Sequence, residues 1–183
     1  VAAYTGRTEA TERERLEPNL TVVFVHGIRP ANPVNREILR AWRETAPDNR
    51  LLVWLWYLNP MYDARLGNYH CFPGFFAHGV GDAFKAYSQH DVRGAFLEGL
   101  GQDVEVYVTC KLMDDPGRDM AALLDDYFTG LYGAAAEPMK AFYRKVERIY
   151  SDPSNTPTGV NQQAVAWDYQ GTAERMAELG ALM

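Results

Sequence analysis

Residues 92–98, Val-Arg-Gly-Ala-Phe-Leu-Glu, carry a run the length of one buried strand into a carboxylate, Glu98, and Gly99 and Gly101 follow. In parallel α/β proteins, side chains at the C-terminal ends of strands are the ones that touch substrate. A glutamate is seldom buried without a partner, so Glu98 is read as serving a substrate, a salt bridge or a helix cap. Two other runs end on polar groups. Residues 21–25 lead into His26-Gly27 with Arg29 just beyond, and residues 51–58 carry Trp56 and Tyr57 and close on Asn59-Pro60. If the three are neighbouring parallel strands, His26, Arg29, Trp56, Tyr57, Asn59 and Glu98 meet at one rim. Trp54, Trp56, Tyr69, His70 and Phe72 then offer ring surface beside it. Rings together with polar strand ends suit a sugar. The plainer readings stay open: Trp54 and Trp56, two residues apart, as core, and His26 as a hydrogen-bonded core residue. Cleaving a glycosidic bond takes two carboxylates, and no second strand-end carboxylate stands beside Glu98.

Other chemistries find less support. The apolar run into His26-Gly27 resembles the strand and turn of α/β-hydrolases, which predicts a G-x-S-x-G elbow further on. The serines are Ser88, Ser151 and Ser154, and none sits in such a turn. His26, His70, His78 and His90 include no pair at H-x-x-x-H spacing, so no metal is expected. Gly79-Val-Gly81 lacks the lysine and the preceding strand of a phosphate loop, and no cofactor is expected. A net charge of −6 without a basic stripe argues against nucleic acid. No apolar run approaches the roughly 20 residues of a membrane span. Cys71 and Cys110 read as two buried thiols. The chain starts at Val1 rather than Met, which leaves export open.

The elements that must position these groups follow from periodicity. Residues 21–25, 51–58 and 92–98 read as strands, and uninterrupted apolar runs suit strands covered on both faces. Helical spacing runs through Val34, Ile38, Leu39 and Trp42, and through Phe75, Phe76, Val80, Phe84 and Tyr87. In the latter segment Gly74, Gly79 and Gly81 suit close packing. Strand, helix, strand, helix, strand calls for a parallel sheet. After residue 101 only helices follow. One covers 103–113. A second starts at the N-cap Asp119, shows a face of Met120, Leu123, Leu124, Tyr127, Phe128 and Leu131, and stops at Gly133. A third has Pro138 in its first turn. A Ser/Asn/Pro/Thr/Gly linker at 151–161 and an amphipathic piece at about 171–183 complete the chain.

Three strands are too few for a closed barrel, which needs eight and about 250 residues. The chain therefore reads as α/β: the C-terminal portion of a TIM-type (β/α)8 barrel with three parallel strands over 1–101 (barrel strands six to eight), then a helical region over 102–183. An open barrel edge exposes backbone groups, so the rest of the barrel or another chain is expected to cover it.

Five stretches in order carry a resemblance: Asn68-Tyr-His-Cys-Phe-Pro-Gly-Phe-Phe, Val92-Arg-Gly-Ala-Phe-Leu-Glu-Gly, Tyr107-Val-Thr-Cys-Lys-Leu-Met-Asp-Asp-Pro, Leu124-Asp-Asp-Tyr-Phe and Tyr132-Gly-Ala-Ala-Ala-Glu-Pro-Met. They resemble the bacterial domain-of-unknown-function 4838 family, in which a glycosidase-like barrel follows an α-glucuronidase-type domain. The resemblance implies an exported, carbohydrate-active protein whose acid/base pair lies upstream of this chain. More distantly the layout is similar to β-hexosaminidases, which implies that Glu98 binds sugar hydroxyls and that Tyr57 orients. With no pair of strand-end carboxylates, this chain alone is expected to lack hydrolase activity. The alternative is a non-catalytic carbohydrate-binding or structural domain on the same fold.

Overall fold

A computed structural model describes residues 2–3, 9–10, 15–28, 32–57, 72–98 and 103–183. Four strands, β1 (Ala2–Ala3), β2 (Thr21–Gly27), β3 (Arg50–Trp56) and β4 (Val92–Glu98), form one sheet in the order β1-β2-β3-β4. Every pairing is parallel. β1 is a fourth strand beyond the three expected, because two alanines have no periodicity to betray a strand. Helix α1 (Arg36–Thr45) joins β2 to β3, and α2 (Ala77–Gln89) joins β3 to β4. Then come α3 (Asp103–Asp114), α4 (Met120–Tyr132) and α5 (Ala136–Ser151). A helical turn at Gln162–Ala164 runs into a π-helix at Val165–Gln170, and α6 (Ala173–Gly180) follows.

Side chains alternate across a strand, and the described helices cover one of the two resulting faces. On that face Val22, Phe24 and His26 of β2 and Leu51, Val53 and Leu55 of β3 are buried. Tyr87 of α2 packs edge-on against Phe24 and His26. Val104, Val108 and Leu112, four residues apart on α3, are buried with them. On the other face Val23, Val25, Leu52, Trp54 and Trp56 are half-buried, and Phe96 is 58% exposed. The expectation of strands covered on both faces therefore holds for one face only. Both faces are apolar, but the described helices bury just one set of alternate residues.

Register puts Val25, Trp54 and Phe96 abreast, and Gly27, Trp56 and Glu98 abreast at the C-terminal ends. A bulge interrupts the β3–β4 pairing, since Leu51 pairs with Val92 but Val53 with Ala95. Gly94 sits in it, where a Cβ would come within 3.1 Å of Leu52 Cδ2. Gly81 has a like role on α2: a Cβ there would lie 2.7 Å from Met120 Cγ. By contrast, Gly79 has only ordinary space around it.

The caps read from the sequence are present. Asp119 accepts from Ala122 N at 2.8 Å, and Gly133 ends α4 with φ +53°. The α4 face is narrower than its spacing suggests, with Tyr127 half-buried and Leu131 60% exposed. Cys110 is exposed rather than buried, because it stands two residues off the Val104–Val108–Leu112 stripe. Cys71 lies outside the described residues. The π-helix falls in a stretch without hydrophobic periodicity. Arg175 holds it to the chain before it, donating to Tyr169 O and, at 3.0 Å, to Asn155 Oδ1. The expected boundary at 101/102 lies outside the described residues, and one apolar cluster runs across it from Ala3 to Leu179.

Candidate functional site

Trp56 and Glu98 are register partners on the less covered face, at the C-terminal end of the sheet. The ladder continues past them: Ile28 N donates to Trp56 O and Tyr57 N to Glu98 O, both at 3.1 Å. Those bonds hold the three strand ends level, so Trp56 and Glu98 stand side by side on a stiff base. One register step below, Trp54 and Phe96 meet edge to face with centroids 5.4 Å apart. The Glu98 side chain is half-buried and makes no hydrogen bond or ion pair with another described residue. The salt-bridge reading of this carboxylate thus finds no partner among the described residues.

The other expected site residues do not join this pair. His26 has the same parity as Val22 and Phe24 and turns to the helix-covered face. There its Nδ1 meets Tyr87 Oη and its Nε2 meets Asn32 O at 2.9 Å. Burial pushes the imidazole pKa below its usual value, against the opposing pull of the Asn32 bond. The ring is therefore neutral at pH 7, with the Tyr87 hydroxyl donating to Nδ1 and Nε2–H donating to Asn32 O. Asn32 in turn donates to Gly27 O at 2.7 Å. His26 fastens the turn after β2.

Tyr57 follows Trp56 directly and so faces the opposite way. It is fully buried, with its hydroxyl bonded to Thr109 Oγ1 of α3. Burial drives its pKa up, and it is a neutral phenol tying β3 to α3. Phe72 is core rather than ring surface. Arg29, Asn59, Tyr69 and His70 lie outside the described residues. Of the expected rim, the structure brings together Trp56 and Glu98 and sets His26 and Tyr57 on the other face.

Sequence reasoning missed Glu105, a fully buried carboxylate on α3. Its Oε1 accepts from Phe76 N at 3.0 Å, at the N-terminus of α2, which has no side-chain cap of its own at Phe76. Its Oε2 is buried without a partner among the described residues. Burial raises its pKa to about 7, although the Phe76 N–H bond pulls the other way. A signal existed: Glu105 and Thr109 flank the apolar 104–108–112 stripe and share its buried side.

No group of three or more His, Cys, Asp or Glu side chains among the described residues is placed to hold a metal ion. No helix among them is long and apolar enough to cross a membrane.

The fold and this site define an α/β protein with a sequentially ordered parallel sheet and its ring–carboxylate pair at the strand ends. The chain belongs to the family described as domain of unknown function (DUF4838), whose family model matches residues 1–145. No curated protein and no solved structure matches it.

Proposed function

We propose that this chain forms part of the wall of a (β/α)8-type barrel and holds a carbohydrate against it, with Trp56 stacking on the sugar and Glu98 accepting its hydroxyls. The observation that carries the reading is the register pairing of Trp56 with Glu98 at the C-terminal end of the less covered face. Strand order supports the barrel. Parallel strands in chain order, with helices packed on one face, are the winding of a closed barrel, whereas a doubly wound sheet reverses its order and takes helices on both faces. In a barrel the second face is the interior, and the C-terminal rim is where ligands bind.

The role is holding rather than cleaving. Glu98 is the only carboxylate on β2, β3 and β4, and cleavage takes two placed a water or a bond apart. The catalytic pair of a glycoside-hydrolase-like protein would then stand on other strands.

A glycan array probed with the protein, followed by titration of the best glycan, tests this. Glu98→Gln removes a charge-assisted acceptor and should weaken binding roughly tenfold or more. Trp56→Ala should abolish detectable binding while the far-ultraviolet circular dichroism stays unchanged. Wild-type affinity in both variants would overturn the sugar role.

A further inference from the structure

A second feature stands apart from the Trp56–Glu98 face. A cavity of about 650 Å³ opens at the C-terminal end of β2, on the helix-covered side. It lies between the turn entering α1, the first turns of α2 and the end of α5. This size falls within the range of small-molecule sites. Phe76 contributes apolar wall, and the charged lining comes from three helices: Arg36 on α1, His78 and Asp82 on α2, Glu147 and Arg148 on α5.

These charges are unevenly committed. Glu147 spends both oxygens on one residue: Oε1 accepts from the His78 backbone N–H at 2.9 Å, and Oε2 pairs with His78 Nδ1 at 2.6 Å. The imidazole keeps its Nε2–H as a donor still to be used. Arg36 and Arg148 make no hydrogen bond or ion pair with another described residue. Among the described lining residues, Asp82 is the one remaining anion.

We propose that this groove binds a small molecule through an oxyanion, phosphate or carboxylate, gripped by Arg36, Arg148 and the His78 Nε2–H. Guanidinium pairs and an imidazolium are the side chains that best match such groups. The apolar wall takes the rest of the ligand. The Glu147 bond raises the His78 pKa, with burial opposing. Among the described residues, the charged groups around His78 are Glu147, Arg144 and Arg148 from α5, Asp82 on its own helix and Arg36 from α1. Affinity should therefore fall as pH rises and the imidazolium is lost. The inference is independent of the sugar reading, because Glu98 is not part of this cavity.

Nuclear magnetic resonance of the His78 Cε1–H, recorded while titrating inorganic phosphate and, separately, acetate, tests it. A saturable shift with either anion is expected, and the tighter one identifies the group recognised. Arg36→Ala or Arg148→Ala should weaken binding about tenfold. Asp82→Asn should tighten it several-fold, and Glu98→Gln should leave it unchanged. The proposal is overturned if neither anion saturates, if the double arginine variant binds like wild type, or if glucose produces the same shift.

Discussion

Glu98 and Glu105 carry the same side chain into opposite surroundings. Glu98 is half-buried at a strand end, while Glu105 is sealed beneath the start of α2 with one oxygen bonded and one not. The folded state holds Glu105 protonated up to about pH 7, well above its usual 4.5. A raised carboxyl pKa stabilises the fold fully below the unfolded value, and that contribution is lost as pH rises through the folded one. Stability should thus decline between about pH 4.5 and pH 7 on account of this residue. Glu105→Gln keeps an acceptor for Phe76 N–H and cannot ionise. Unfolding free energies from urea titrations should show the variant ahead by up to about 3 kcal/mol at pH 8 and near parity at pH 5. Equal slopes for both proteins would show that Glu105 is not held protonated. Strand parity also explains what the sequence told about the site. Trp56 and Glu98 were readable as strand-end groups. His26 and Tyr57 were too, but adjacent residues such as Trp56 and Tyr57 cannot share a face. Glu105 was hidden because no face was assigned to the helix over 103–113, and its buried side shows only once Val104, Val108 and Leu112 are seen to line up.

At the scale of elements, the local signals that served well were those with chemistry in them. Asp119 and Gly133 mark the two ends of α4 because each satisfies a backbone requirement that few residues meet. Asn35 does the same for α1: its Oδ1 accepts from Glu37 N at 3.0 Å and Ile38 N at 3.2 Å. Asn35→Ala should cost about 1 kcal/mol, read as a lower urea midpoint with an unchanged slope. A loss of several kcal/mol would mean that the residue does more than cap. Less legible were the two-residue β1 and the π-helix, since neither is long enough to show a period. The start of α2 at Ala77, after Phe75 and Phe76 of its apolar spacing, has a related reason. Phe72, Phe75 and Phe76 are apolar and buried, but they run up to the helix outside it.

At the scale of the whole molecule, the described residues make a sheet with two apolar faces and one helical layer. Parallel α/β architecture was legible from the order of runs, because strand–helix–strand units leave few other topologies. The half-covered face was not, since hydrophobicity records what is apolar and not what lies against it. That face has a consequence in solution. With Phe96 58% exposed beside Trp54, these 183 residues expressed alone should self-associate at micromolar concentration. Phe96→Lys should shift the sedimentation profile toward monomer without lowering the unfolding midpoint. A wild-type chain that sediments as a monomer would show that this surface needs no cover.

The bulge, the level strand ends and strict alternation together divide the sheet's positions into two populations. Leu51, Val53, Leu55 and Tyr57 are tied to the helices, so a change at any of them must be answered by another residue of the core. Leu52, Trp54 and Trp56, interleaved with them, answer to whatever lies across the other face. Selection can therefore rewrite one set while leaving the other alone. Among relatives, the two sets should drift at different rates, with the even-numbered positions of β3 tracking ligand and the odd-numbered ones tracking fold.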